Sequence, residues 1–243
     1  MRNMMVIARR EFMAYFNSPI AYVFMVVFLL LSSLNFVLAE HFFLVNQATM
    51  RPFFESLPWI FIVLVPAVAM RLWSEEKKSG TLELLLTLPM RHVEIMIGKF
   101  LAAWAFVALT VLLTLPMVFF VSMMGELDWG PVIGGYVAAI LMGGAYLAIG
   151  MFVSALTKNQ ILSYVGAAVV CLCFVVMGQG NVLHSMNDML PQAVHVFTSA
   201  SFVPHFENIS RGVIDTKDLV HFASVILLFL GLNYLVLDTR RHA

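Results

Sequence analysis

Long apolar runs separated by short charged segments constrain this fold more than any other feature of the sequence. A helix needs about 20 apolar residues to cross the roughly 30 Å hydrocarbon core of a bilayer. With 61% hydrophobic and 12% charged residues, the 243-residue chain is far more apolar than a soluble domain, which is about half apolar and a quarter charged. The sequence therefore predicts an all-α integral membrane protein, with a single membrane domain over residues 1–243. Its six predicted transmembrane helices cover residues 20–38, 58–70, 97–124, 132–156, 161–177 and 219–237.

Two of these predicted spans carry further signals. The second span is short, so we expect it either to start within the polar loop at residues 40–57 or to tilt little. We also expect this helix to continue to about Trp73 and to bend at Pro66. The fourth contains five glycines, whose spacing permits close packing between helices. They are Gly134, Gly135, Gly143, Gly144 and Gly150.

A charged stretch at residues 70–89 lies between the second and third spans. Six ionisable groups there would cost about 15–20 kcal/mol in hydrocarbon, so we place the stretch in water at the membrane face. Gly80 is expected to break the helix, Thr81 to cap the next one, and Pro89 to end it. An ordinary loop is the alternative to a short leucine-rich helix that docks into a groove. The ionisable residues are Arg71, Glu75, Glu76, Lys77, Lys78 and Glu83.

Charge asymmetry predicts the orientation. With six spans both termini lie on one side, and that side holds eleven of the fourteen Lys and Arg residues, while the other side holds Arg51, Arg211 and Lys217. The positive-inside rule then places both termini and residues 70–89 in the cytoplasm. A five-span alternative would put one basic terminus outside.

The remaining segments predict helices at the membrane surface. Residues 2–18 mix basic and apolar side chains, which suits an interfacial helix, with a signal peptide as the alternative. Residues 178–218 are apolar pieces broken by Gly and Pro, and two short re-entrant helices fit them best. This outer segment is expected to close the pathway and to contact any auxiliary protein, through residues near His195, Phe202 and Phe206.

No catalytic or cofactor signature is visible in the sequence. Gly98-Lys99 resembles the end of a phosphate loop, but Val93 stands where the first glycine belongs. The outer histidines have no metal spacing, and the 17 Met residues with Cys171 and Cys173 are a weak basis for copper, because Met is a common apolar filler. We therefore expect no cofactor, metal or nucleic-acid partner, no enzyme activity in this chain, and no proton relay, since we find no ionisable side chain inside the spans.

The charged stretch also carries a family signature. It reads Glu75-Glu76-Lys77-x-x-Gly80-Thr81-Leu82-Glu83-x-Leu85-Leu86-x-x-Pro89, followed nine residues later by Gly98-Lys99. In residue type and spacing this resembles ABC-2 type transporter permeases, in which the segment is a coupling helix that docks on the ATP-hydrolysing subunit. The resemblance implies a coupling helix at residues 74–89. The implied ATPase-coupling residues are Glu75, Glu76, Gly80, Thr81, Leu82, Glu83, Leu85 and Leu86.

Further motifs resemble the gliding-motility-associated Gld permeases, with the nitrous-oxide-cluster permease as a more distant relative. They are Phe16-Asn17-Ser18-Pro19-Ile20-Ala21-Tyr22, Leu57-Pro58-Trp59-Ile60, Pro66-Ala67-x-x-Met70-Arg71-Leu72-Trp73 and Ile209-Ser210-Arg211-Gly212-Val213-Ile214-Asp215. The resemblance implies a type V ABC exporter fold with six spans, an elbow helix at residues 2–18, the coupling helix between spans 2 and 3, and re-entrant helices between spans 5 and 6.

The same resemblance implies the partners. It predicts a complex in the bacterial inner membrane, with two permease domains, two ABC ATPase subunits that bind ATP and Mg, and in Gld-type systems an auxiliary protein with an extracytoplasmic domain. The chain would then be the permease subunit of an exporter. The alternative is a membrane scaffold that transmits ATPase motion to an outer protein without moving a solute, because the same coupling helix serves both. An intramembrane enzyme is the third hypothesis.

Overall fold

The computed structural model describes residues 2–39, 48–81, 91–180, 182, 191–213 and 215–241. These residues are almost all helical, and no strand occurs among them. We number the helices in chain order as α1 Arg2–Phe16, α2 Pro19–Leu34, α3 Arg51–Ala69, α4 Arg71–Ser79, α5 His92–Leu112, α6 Leu115–Met124, α7 Trp129–Leu156, α8 Gln160–Val176, α9 Pro191–Ala200, α10 Phe202–Ser210 and α11 Thr216–Arg241.

Five helical stretches are long and apolar enough to cross a membrane, by length and composition. They are Pro19–Leu38, Arg51–Ser79, His92–Met124, Trp129–Leu156 and Thr216–Thr239. The fifth predicted span corresponds to α8, which is apolar but has 17 residues and is therefore about 26 Å long. Six spans remain a prediction, with five of them meeting the length criterion.

The second span starts within the loop, which is one of the two alternatives that its short predicted length left open. The helix begins at Arg51, within the stretch that the sequence assigned to a polar loop, because Pro52 is tolerated in a first helical turn and the apolar side chains that follow are buried. Phe53, Phe54 and Leu57 are all 0% exposed. Helices α3 and α4 together form a 29-residue helical stretch that is long and apolar enough to cross a membrane.

Helix α7 is the centre of the molecule. It packs against α3, α5, α8, α10 and α11. Of the residues in its most apolar 18-residue stretch, 72% are buried, compared with 17% for the corresponding stretch of α11. Its glycines allow this, as the sequence predicts: a Cβ atom at Gly150 would lie 2.4 Å from the Cβ of Ala69, and one at Gly135 would lie 2.4 Å from the ring of Phe54. The fourth span is therefore the core of this chain.

The outer helices differ in their packing. Helix α1 lies against α5, so a helix does occupy the range predicted for the elbow, and its position relative to a membrane stays a prediction. Span 3 is interrupted between α5 and α6, just before Pro116. Two short helices, α9 and α10, occupy part of residues 178–218, and α10 packs against α7.

Candidate functional site

The α-helix is interrupted at Met70, where α3 meets α4, and we define the α3–α4 joint by the groups around this break. The N–H of Met70 donates to the carbonyl of Pro66 at 2.8 Å and closes α3. Helix α4 then starts again at Arg71, five residues after a proline that itself has no N–H to donate. The remaining members of the α3–α4 joint are Trp73, Ser74, Lys77, Ser154 and Ala155.

Ser154 of α7 forms hydrogen bonds with backbone groups on both sides of the break at the α3–α4 joint. Its hydroxyl accepts from the N–H of Trp73 at 3.1 Å and of Ser74 at 3.0 Å, and donates to the carbonyl of Met70 at 2.9 Å. The first N–H groups of a helix have no acceptor within that helix, and Ser154 is 0% exposed. One side chain therefore satisfies three backbone groups that water does not reach.

Lys77 attaches α4 to the end of α7. Its ammonium donates to the carbonyl of Ala155, in the last turn of α7, where carbonyls lack partners within the helix and carry partial negative charge. Lys77 is 9% exposed. The expectation that this lysine lies in water is therefore wrong: it is buried against protein, and it fixes the axis of α4.

Lys99 of α5 forms ion pairs with two glutamates, one of them on α4. Its Nζ lies 2.7 Å from Oε1 of Glu76 and 3.5 Å from Oε1 of Glu11 on α1, and 5.7 Å from the centre of the Trp73 ring. Lys99 is 5% exposed, so its pairing with Glu76 compensates a charge removed from water. This pair ties α4 to α5, and Glu76 is occupied within the chain.

Gly80 ends α4 as the sequence predicts. Its φ of 71° is left-handed, a conformation that glycine adopts without the steric cost that other residues meet. The hydroxyls of Ser79 and Thr81 lie 2.8 Å apart beside this end, and Glu75 is exposed. The remaining predicted coupling residues, Leu82, Glu83, Leu85 and Leu86, lie outside the described residues, so the helix expected there stays a prediction.

A second polar cluster lies between α10 and α11. Nδ1 of His205 is 2.5 Å from Oδ1 of Asp218, and its Nε2 is 3.3 Å from the carbonyl of Ser199. The ring of His221 stacks on His205, with centres 4.0 Å apart. The sequence analysis missed this cluster, since it found no ionisable side chain inside the spans, whereas His221 lies in the predicted sixth span. An acid and a histidine three residues apart at the start of an apolar run were the available signal.

The residues predicted as an outer contact mostly face inward. Phe202 and Phe206 are 0% and 1% exposed, and the Phe202 ring stacks on Phe174 at 4.8 Å and lies 5.4 Å from Tyr146. These two side chains stabilise this chain's own packing. The backbone of His195 lies in α9, and its side chain is outside the description. Contact between this segment and a partner stays a prediction.

Comparison with known protein families gives a match that covers most of the helices described above. A family model described as ABC-2 family transporter protein matches residues 52–237. This range is well over half of the chain and contains α3 to α10 and most of α11, and therefore every member of the α3–α4 joint. A comparison with curated proteins gives no match.

Proposed function

The chain belongs to the ABC-2 family of transporter proteins, and from that premise we propose that it is the permease subunit of an ABC transporter, coupled through residues 74–89 to a separate ATPase subunit. Members of such a family act as membrane subunits that work with an ABC ATPase. ATP hydrolysis then takes place in the partner. This chain carries the resulting motion into the membrane.

The observation that carries the proposal is the α3–α4 joint. Motion at a docking helix reaches the membrane core only if the connection is stiff, and α4 is held to α7 by buried hydrogen bonds at two places along its length. Ser154 holds the start of α4 and Lys77 holds its second half. Because α7 is the most central helix, a displacement of α4 would be passed to the core and not absorbed in a loop.

The joint also refines the roles of the glutamates. The family resemblance implies that both Glu76 and Glu83 take part in ATPase coupling. Since Oε1 of Glu76 is bonded to Lys99, we propose that Glu76 positions α4, while Glu83 and Glu75, the latter exposed, face the partner. Residues 82–88, beyond the left-handed turn at Gly80, supply the apolar contact.

The wider assembly follows from the same premise. We propose two permease chains with two ATPase subunits, six spans, both termini in the cytoplasm of a bacterial inner membrane, and residues 178–218 on the opposite side. A Gld-type auxiliary protein would contact that outer segment. The charge asymmetry of the sequence supports this orientation.

The docking contact is tested by truncating Leu85. Burying a leucine contributes roughly 1.5–3 kcal/mol, so Leu85→Ala should weaken capture of the ATPase about tenfold or more. Glu83→Ala, which removes a rim ion pair worth about 0–1 kcal/mol, should weaken it less. Val93→Ala is the matched control, because it shortens an apolar side chain that is 38% exposed on α5. Wild-type capture by Leu85→Ala at normal membrane levels would refute the docking role.

The orientation is tested by labelling single cysteines in intact cells, after Cys171 and Cys173 are replaced. Cysteine at position 188 should react with an impermeant reagent from outside, and cysteine at position 78, on the exposed side of α4, should react after permeabilisation. Labelling of position 78 in intact cells would reverse the proposed orientation.

A further inference from the structure

Two adjoining cavities lie beside the start of α4. The first, of about 330 Å³, lies between α1, α4 and α5, and we call it the polar cavity because five charged side chains stand in its wall. The second, of about 230 Å³, is apolar and lies between α2, α3 and α5. Tyr15, Ser18 and Arg71 line both cavities. A polar chamber that continues into an apolar one has the shape of a site for an amphiphile.

The polar cavity offers unpaired groups of both signs. The Nε–H of Arg71 and Oε2 of Glu76 are buried, and neither has a hydrogen-bond partner among the described residues. Buried polar groups in folded proteins are nearly always paired. Lys99, the other cation in the wall, is already held by Glu76 and Glu11. The free donor is therefore Arg71, and the free acceptors are Glu76 and the exposed Glu75.

Tyr15 adds a neutral donor at the boundary between the cavities. Burial and then the nearby Glu11 carboxylate raise the pKa of its phenol, so the hydroxyl keeps its proton at any physiological pH. Its ring is held in place by stacking on Phe106, with centres 4.8 Å apart. The phenol and the Arg71 guanidinium together favour an anionic oxygen.

The apolar cavity lies at the edge of the membrane core. Glu55 and Arg71 bound the apolar part of the helical stretch formed by α3 and α4, and Arg71 is the first ionisable residue after it, a position where a charge avoids the hydrocarbon. Arg71 therefore lies at headgroup level in the leaflet that carries α1. The walls include Ile20 and Val23, which are 48% and 59% exposed, so the cavity opens sideways toward lipid.

We propose that this site binds one phospholipid with an amine-bearing, zwitterionic headgroup. Its phosphate lies at Arg71 and the Tyr15 hydroxyl, its ammonium lies at Glu75 and Glu76, and an acyl chain fills the apolar cavity. The polar wall carries the acids Glu11, Glu75 and Glu76 against the bases Arg71 and Lys99. This excess of one negative charge disfavours an anionic lipid and suits a headgroup that brings its own cation.

The site would connect three helices. It touches α1, the start of α2 and Arg71, which is the first residue of α4 and follows Met70 at the helix break. A lipid bound there would hold α1 against the α3–α4 joint, independently of what the transporter carries and of which ATPase docks on it.

Native mass spectrometry of the full chain tests the proposal. The purified protein is equilibrated with phosphatidylethanolamine or phosphatidylglycerol in detergent, and the fraction with one tightly bound lipid is measured. Wild type should retain phosphatidylethanolamine in preference to phosphatidylglycerol. Arg71→Gln should lower its affinity about tenfold, because it removes a charge-assisted hydrogen bond to phosphate. Ala67→Leu, which fills the apolar cavity from α3, should also lower it and leaves the charges intact.

Matched controls separate this site from the general lipid coat. Arg51→Gln makes the same change at the exposed opposite end of the helical stretch, and Ala223→Leu makes the same change at an exposed position of α11. Both should bind lipid as wild type does. Retention that is indifferent to headgroup, or unchanged by both Arg71→Gln and Ala67→Leu, would overturn the proposal. If Arg71→Gln does not fold, Ala67→Leu decides the outcome.

Discussion

The α3–α4 joint and the cluster between α10 and α11 both bury polar groups beside the central helix, but they satisfy them differently. In the joint, Ser154 and Lys77 bond to backbone groups that a helix end leaves without partners. In the cluster, His205 and Asp218 bond to each other, while Oδ2 of Asp218 and Nε2 of His221 have no hydrogen-bond partner among the described residues.

This difference indicates two mechanical roles. A buried joint whose backbone is satisfied by a second helix resists bending, since every displacement breaks a hydrogen bond in a place without water. Unpaired atoms occur in both regions, but Nε1 of Trp73 in the joint takes no part in the bonds to α7, whereas in the cluster Asp218 itself is paired through only one of its two oxygens. A rearrangement or an added water would satisfy Asp218 and His221. We therefore expect the α4 side to move as a rigid body with α7, and the α10–α11 side to be the more adjustable end.

Replacing Ser154 should give the largest effect. Ser154→Ala removes three buried hydrogen bonds, to the N–H groups of Trp73 and Ser74 and to the carbonyl of Met70, which should lower the free energy of unfolding by about 2–4 kcal/mol. Thermal unfolding in detergent, followed by tryptophan fluorescence, measures this as a lower Tm. Ser122→Ala removes a hydroxyl at a more exposed position of α6 and should change stability by about 0.5 kcal/mol or less. Equal Tm values for the two variants would remove the basis for a rigid joint.

Asp218→Asn is expected to come next, at about 1–3 kcal/mol. The amide keeps an oxygen near His205 but loses the carboxylate charge inside a buried pair. Asp215→Asn is the control, because Asp215 is exposed and its side chain accepts from the N–H of Lys217, a role that Asn fulfils equally well. If Asp218→Asn and Asp215→Asn unfold at the same temperature, the cluster does not hold α10 to α11.

Lys77→Met should cost about 1–2 kcal/mol, because it removes a hydrogen bond from a charged group while keeping the apolar stem. The neighbouring Lys78 is exposed, so Lys78→Met should leave the Tm unchanged. In the assembled transporter Lys77→Met should also loosen α4 and lower the coupling of ATP hydrolysis to transport. A variant with wild-type Tm and coupling would show that Ser154 alone maintains the joint.

Gly80→Ala should have the smallest effect on stability, about 1 kcal/mol. A Cβ atom at this position meets no neighbour within 4 Å, so the cost comes from its φ of 71° alone. Gly231→Ala is the matched control, since Gly231 also has open space but lies within α11, where alanine is favoured. We expect Gly80→Ala to lower ATPase stimulation more than its small Tm change suggests, as the direction of residues 82–88 depends on this turn. ATPase activity equal to that of Gly231→Ala would contradict this.

Much of the fold could be predicted from the sequence because the solvation and backbone conformation of each helix depend on its own residues. Apolar runs predict the long helices, glycine spacing predicts the close packing of α7, and Gly80 predicts the end of α4. The start of α3 stayed open between two alternatives, since the polar residues around Arg51 suggested a loop and the burial of Phe53 and Phe54 depends on their contact with other helices.

Most of the site could not be predicted in the same way. The sequence signature singled out Glu76 and Gly80, but it could not show that Glu76 pairs with Lys99, which lies 23 positions away and on another helix. Ser154 had no signal at all: a serine in an apolar helix is common, and its partners are backbone groups of residues 80 and 81 positions away.

The amino-acid sequence by itself determined that this chain is a helical membrane protein, where most of its apolar helices lie and where α4 ends, since solvation and backbone conformation act on each segment separately. The tertiary structure decided which buried polar groups meet. Ser154 bonds to the start of α4, Lys77 bonds to the end of α7, and His205 bonds to Asp218. These contacts form because the packing of α7 against its neighbours fixes the distances, and hydrogen bonds act over about 3 Å.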